Sequence, residues 1–150
     1  DRYNYAVTPA TFAFLDARFG PHTVDRFADA ANARLARFNS RWWAPNTEAV
    51  DAFSVSWSAT NNWIHPPLPL IGRVLAKLRA DRACATVIIP RWPSATWWPL
   101  LFPFADQPRA VVAQFTIPTG AFVAFEPSAL AGSGRPPPWA TFAVGLDFRA

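Results

Sequence analysis

The stretch Asn62-Trp63-Ile64-His65-Pro66-Pro67-Leu68, running on through Pro69-Leu70-Ile71-Gly72-Arg73-Val74-Leu75-Ala76-Lys77-Leu78-Arg79 to Ala85-Thr86-Val87-Ile88-Ile89-Pro90, decides the fold. Asn62-Trp63-Ile64 reads as a short buried strand, stopped by His65-Pro66-Pro67. Leu70, Ile71, Val74, Leu75 and Leu78 then recur at helical spacing, with Arg73, Lys77 and Arg79 on the outer face. Ala85 to Ile89 is β-branched and apolar, the strongest strand of the chain, and Pro90 ends it. A strand, a helix and a second strand in that order predict a parallel pair joined by a crossover helix.

Moving toward the amino end, Thr8-Pro9 predicts a helix start, with Thr at the cap and Pro in the first turn. Phe12, Leu15 and Phe19 mark its apolar face, and Gly20-Pro21 ends it. His22 to Asp25 is a short strand candidate. Asp29 to Phe38 reads as a helix, Asp51-Ala52-Phe53 as a short extended piece, and Trp57 as a core anchor. Moving toward the carboxyl end, Thr96 to Phe104 predicts a short helix. Ala110 to Ile117 and Ala140 to Phe148 predict strands, with a Gly/Pro loop over 132–138 between them. The expected architecture is α/β: a three-layer, Rossmann-like, mainly parallel sheet with an antiparallel edge strand.

The 150 residues suit a single domain spanning 1–150. The apolar fraction of 51% and charged fraction of 16% exclude a disordered chain. No stretch approaches the roughly 20 apolar residues of a membrane helix, and the start is not a signal peptide. The absence of an initial Met suggests a piece excised from a longer protein. Cys84, the single cysteine, excludes an internal disulfide and a cysteine-cluster zinc site; it reads as a buried, inert thiol, and the expected home is intracellular. The formal charge is +4, carried almost wholly by Arg, which permits nucleic-acid binding without demanding it.

In an open α/β sheet, ligands bind beyond the carboxyl ends of the strands. That singles out Val24-Asp25-Arg26-Phe27-Ala28-Asp29, His65-Pro66-Pro67-Leu68 and Pro90-Arg91-Trp92-Pro93. The prolines lack N–H donors, so a polar side chain before them can face a crevice and accept from an amine. Asp25 either touches a cofactor or caps the following helix. Asp29 and Asn32 read as caps or surface groups, and His22 as exposed. Trp42, Trp43, Trp92, Trp97 and Trp98, interleaved with Arg37, Arg41 and Arg91, form either a stacking groove for single strands or a rim of core. Asp25, Glu48 and Asp51 lack the context of a two-metal site, and no metal is expected. With two histidines there is no Ser/His/Asp triad, and no phosphate-binding loop is present.

Thr8-Pro9, Phe12, Gly20, Val24 to Asp29, Asn32, Trp57 and Asn62 to Leu68 follow the order of motifs in phage-type DNA adenine methyltransferases. The match is closer to the methyltransferase-like module of DIRS-type retroelement polyproteins, which follows reverse transcriptase and RNase H. The runs that carry it include Arg37 to Trp42, Val50 to Phe53, Leu70 to Leu75, and Pro90 to Pro93 with Trp97. The chain resembles that module over roughly residues 8–118.

The resemblance implies a class I methyltransferase-like sheet. It implies an S-adenosylmethionine site at Thr8, Pro9, Asp25 and Phe27, and a target-base pocket at His65, Pro66, Pro67 and Leu68. Arg41, Arg91, Trp92 and Trp97 would contact nucleic acid. The sequence departs from the family where His65 replaces the Asn or Asp, where Leu68 replaces the stacking aromatic, and where no Gly-rich turn follows the first strand. Three readings follow: a degenerate accessory domain that binds nucleic acid or neighbouring polyprotein domains, an active adenine methyltransferase, or a purely structural module.

Overall fold

The computed structural model describes residues 5–28, 32–103, 110–118, 122–124 and 139–149. The chain enters through β1 (Tyr5–Val7) and helix α1 (Pro9–Phe19). Thr8 caps α1: its hydroxyl accepts from the Thr11 N–H at 3.2 Å, and Pro9 follows in the first turn. Then come β2 (Val24–Asp25), β3 (Asn39–Ser40), β4 (Ala49–Val50), β5 (Asn61–Ile64), α2 (Ile71–Ala80), β6 (Cys84–Pro90), the one-turn α3 (Trp98–Leu101), β7 (Val111–Ile117), β8 (Phe122–Ala124) and β9 (Thr141–Asp147). β1 and β8 pair antiparallel in a small separate ladder.

The main sheet runs β2-β5-β6-β9-β7. β2, β5 and β6 are mutually parallel; β9 runs antiparallel to both β6 and β7. A parallel bridge between Asp25 and Phe38 attaches the parallel pair β3–β4 beside β2. The strand ladder thus reads β4-β3-β2-β5-β6-β9-β7, and β9 alone runs against the others. An antiparallel edge strand was expected from sequence. The edge strand β7 does pair antiparallel, but the reversed strand is β9, one place inside it. β9 can be reversed because no crossover helix is needed to reach it; its buried residues on both faces suit an interior strand.

Both faces of the sheet are covered. On one, Ile71, Val74, Leu75 and Leu78 of α2 meet Ile64, Val87, Ile89, Phe142 and Val144, together with Trp57. On the other, Leu15 of α1 meets Val7, Trp63, Ile88, Ile117 and Ala143. The β5-α2-β6 unit is the one read from sequence.

Other local expectations change. Residues 32–37 are not helical, and 29–31 lie outside the described residues. The backbone there is spent on the sheet instead: the Arg37 carbonyl accepts from the Asp25 N–H, and the Arg34 N–H donates to the Asp25 carboxylate, both at 3.0 Å. Ala52–Ser54 is a 3-10 turn rather than an extended piece, capped by Asp51 accepting from the Phe53 N–H. The short helix near Thr96 is confined to Trp98–Leu101, with Phe104 outside the described residues. The 132–138 loop also lies outside them.

Gly20 closes α1 against a crowded corner. A Cβ there would overlap the Asp16 carbonyl oxygen and stand 2.7 Å from its carboxylate and 2.8 Å from the His22 nitrogen. Gly72, in the first turn of α2, has only the Trp97 Cβ within 4 Å, at 3.9 Å. Chemical denaturation should therefore separate two like substitutions. Gly20→Ala should cost about 1–3 kcal/mol. Gly72→Ala should be neutral or stabilise by up to about 1 kcal/mol, since Ala favours helix. Equal effects would contradict this packing.

Candidate functional site at the carboxyl edge of the sheet

The chain leaves β2 toward β3 on one side, then crosses back to β5 on the other. The order of strands therefore reverses between β2 and β5. A crevice outside the carboxyl ends of strands at such a switch point is where open α/β sheets bind ligands. The segments there are Arg26-Phe27-Ala28 after β2 and His65-Pro66-Pro67-Leu68 after β5. Arg41-Trp42-Trp43 follows β3 and Arg91-Trp92 follows β6, so these residues lie along one edge. α1 runs back against β2, which sets its Thr8-Pro9 start at that edge too.

Arg34 ties the α1 side of this edge together. Its N–H holds the Asp25 carboxylate, and its guanidinium donates to the Val7 carbonyl. It also lies near enough to His65 to disfavour a charge there. Asp25 itself is 3% exposed. Arg34, which sequence reasoning missed, thus lies close to Asp25, to Val7 before Thr8, and to His65. Arg34 sits in an Ala-rich run with helical composition, and nothing local marks it.

His65 keeps some exposed surface and makes no hydrogen bond among the described residues. Burial of its ring, with the Arg34 charge second, holds its pKa at about 4. It is therefore a neutral imidazole at neutral pH, able to donate from one nitrogen and accept at the other. Pro66 is buried behind it, and Pro67 is exposed.

The α2 side is filled by Arg26, which the sequence placed at the end of β2 without a role of its own. Arg26 is 3% exposed, and its hydrogen bonds among the described residues go to neutral partners. Nε donates to Asn62 Oδ1 at 2.8 Å, Nη1 to Asn39 Oδ1 at 2.7 Å, and Nη2 to Thr60 Oγ1 at 3.0 Å. Its carbon lies 5.8 Å from the Trp57 ring centroid. Burial lowers its pKa to about 10, so it remains a cation. Phe27 packs edge-on against Phe53 and Trp57, and Leu68 joins the same core.

The remaining aromatics divide. Trp97 and Trp98 pack on the α2-side core, and Trp98 reaches Phe142. Trp92 meets Trp139 edge-on at 5.2 Å. Arg91 lies 4.2 Å over the Phe142 ring and reaches Gln114. Arg41 lies 5.1 Å over Trp42. Arg37 is paired with Glu48 at 2.8 Å.

His22 is buried rather than exposed. Its Nδ1 meets the Asp16 carboxylate at 2.6 Å and its Nε2 the Thr86 hydroxyl at 2.7 Å, beneath Trp63. Burial lowers its pKa against the pull of Asp16. Cys84 is half-buried, with its sulfur facing the Thr60 carbonyl and Asn61. Asp25, Glu48 and Asp51 have separate partners, and among the described residues no acid, histidine and cysteine group could hold a metal ion. No described helix is long and apolar enough to cross a membrane.

The described residues do not fit S-adenosylmethionine. A nucleoside cofactor at this place needs a glycine turn for close backbone approach and an acid at the next strand end for ribose hydroxyls. Here the turn is Arg26-Phe27-Ala28, with both large side chains packed inward. β3 ends on Ser40-Arg41. The Asp25 carboxylate is spent on the Arg34 N–H. Compared with known proteins, the chain matches no family model and no curated protein.

Two measurements check this geometry. Arg26→Ala strips Asn39 and Asn62 of a buried donor and should cost about 3 kcal/mol by denaturant titration. Arg26→Lys should recover little, since a compact ammonium cannot span the acceptors on two strands that the guanidinium fork reaches. Stability should also fall as pH drops from about 6.5 toward about 4, because the unfolded chain takes up protons that folded His65 refuses. His22 acts in the same direction. His65→Gln should flatten part of that slope; an unchanged slope would mean that the ring is not desolvated.

Proposed function

We propose that this domain is a methyltransferase-like module without methyl-transfer chemistry, which binds nucleic acid along the carboxyl edge of its sheet. The arrangement of charge carries the reading. Exposed Arg41 and Arg91 lie at that edge. Among the described acids, Asp81 and Asp147 lie at the opposite edge, beside Cys84 where β6 begins. Asp16 is bound by His22, and Glu48 by Arg37. Asp51, the exposed carboxylate after β4, is turned to its own Phe53 N–H. Phosphates meet cations and little repulsion at such an edge.

Family resemblance supports the methyltransferase-like part. A ladder whose first strand is central, whose progress reverses after the third strand, and whose last strand enters reversed beside the edge resembles the class I methyltransferase sheet and supports that part of the reading. The module in DIRS-type polyproteins would then be the source of this chain, and nucleic acid its natural surroundings.

A second reading is favoured by one observation, the neutral His65 at the strand end, which has no hydrogen-bond partner among the described residues. It would make the protein an adenine methyltransferase with His65 as the amine acceptor.

Anisotropy of a labelled oligonucleotide tests the first reading. Arg41→Ala and Arg91→Ala should each weaken binding and lower the salt slope by about 1. S-adenosylmethionine at millimolar concentration should give no calorimetric heat. Cofactor binding, together with methyl transfer to DNA that His65→Ala abolishes, would replace the first reading by the second.

A further inference from the structure

Six of the eight tryptophans lie among the described residues as packed or partly packed side chains, and two do not. Trp42 and Trp43 are 71% and 77% exposed, whereas Trp57 and Trp63 are at 0% and 2%. Leaving two adjacent indoles in water forfeits a large apolar burial. Among the described residues neither makes a hydrogen bond from its side chain. Among the described residues the Trp42 ring is met by the Arg41 guanidinium, and Trp43 has no ring partner.

The backbone beneath them is nonetheless fixed. The Ser40 hydroxyl lies 2.6 Å from the Trp42 carbonyl and 2.8 Å from the Thr47 hydroxyl. Thr47 in turn donates to the Ala49 carbonyl at 3.0 Å, and its N–H closes a turn onto Ala44 at 3.1 Å. Asn46 takes the left-handed conformation that the turn requires. The loop between β3 and β4 is thus braced at both ends while its aromatic pair stays in solvent.

We propose that Trp42 and Trp43 are a stacking platform for unpaired bases, so that the ligand at this edge is single-stranded nucleic acid rather than duplex. This rests on the nucleic-acid reading above and narrows it. An indole offers a π-face that any base can cover, and only unpaired bases expose theirs. Arg41, already over Trp42, supplies the cation for the adjoining phosphate. Because the loop is braced before binding, little ordering is required when a strand docks. RNA and DNA single strands present the same faces and phosphates. Among the described residues the neighbouring Val50 is the only other exposed large apolar group on this strand pair, which is little for a protein interface.

The test uses the whole chain and labelled oligomers of about 15 nucleotides as single-stranded DNA, single-stranded RNA and duplex DNA, with a single-stranded oligomer carrying abasic sites. The single strands should bind more tightly than the duplex. Trp42→Ala and Trp43→Ala should each weaken single-strand binding about tenfold, with an unchanged salt slope, and Trp42→Phe should restore part of it. Abasic oligomers should bind the wild type weakly and the double variant no more weakly. Both positions are exposed, so circular dichroism should show all variants folded. If Arg41→Ala and Arg91→Ala weaken binding but the tryptophan variants do not, stacking is refuted while the nucleic-acid reading stands. If no oligomer binds, both are lost. A dimer in sedimentation that Trp42→Ala removes, without nucleic-acid binding, would assign the pair to a second copy of the chain and overturn the proposal.

Discussion

The buried guanidinium of Arg26 is the constraint on which the sheet depends. It joins β2 to Asn39 on β3 and to Asn62 on β5, the strands that flank it. A charge in this place must be fully solvated by protein dipoles or it expels itself to water. Asn39, Asn62 and Thr60 are therefore obliged to point inward, and Asn62 is held in turn through the carbonyls of Trp57 and Cys84. One cation thus fixes the register of three short strands that have too few ladder bonds to fix it themselves. The same side chain occupies the inner crevice beside β2. Solidity at the switch point and the filling of the space beside β2 have one cause.

Trp57 extends this network to α2. Its indole N–H donates to the Ala52 carbonyl and its backbone N–H to Asp81, which also holds Lys77. Arg26 and Lys77 both approach its ring, at 5.8 Å and 5.2 Å. The helix end and the sheet centre are therefore coupled through one aromatic side chain with cations on its faces.

Legibility in the sequence followed the range of the forces. The β5-α2-β6 unit was readable because burial on both faces of a parallel strand leaves a continuous apolar run, and one buried helix face leaves a period. β2, β3 and β4 have two residues each, too few for any period to show. The run before Phe38 looked helical by composition, yet Asp25, nine residues before Arg34, takes its N–H. His22 looked exposed beside a proline because its partner Thr86 is 64 residues away. At the site, His65 stood out through its two prolines, a local signal. Arg26 and Arg34 had none, since what makes them important is the set of distant groups that surround them.

The reversed strand has a consequence for how the chain acquires its shape. β7 touches the rest of the ladder only through β9, which pairs with β6 along Cys84 to Pro90 and with β7 along Val111 to Ile117. During synthesis β7 emerges well before the strand that anchors it. The carboxyl-terminal half of the sheet cannot close before β9 is available, and that closure joins residues far apart in sequence. Until then, β6 and β7 each present an unpaired edge to whatever lies nearby.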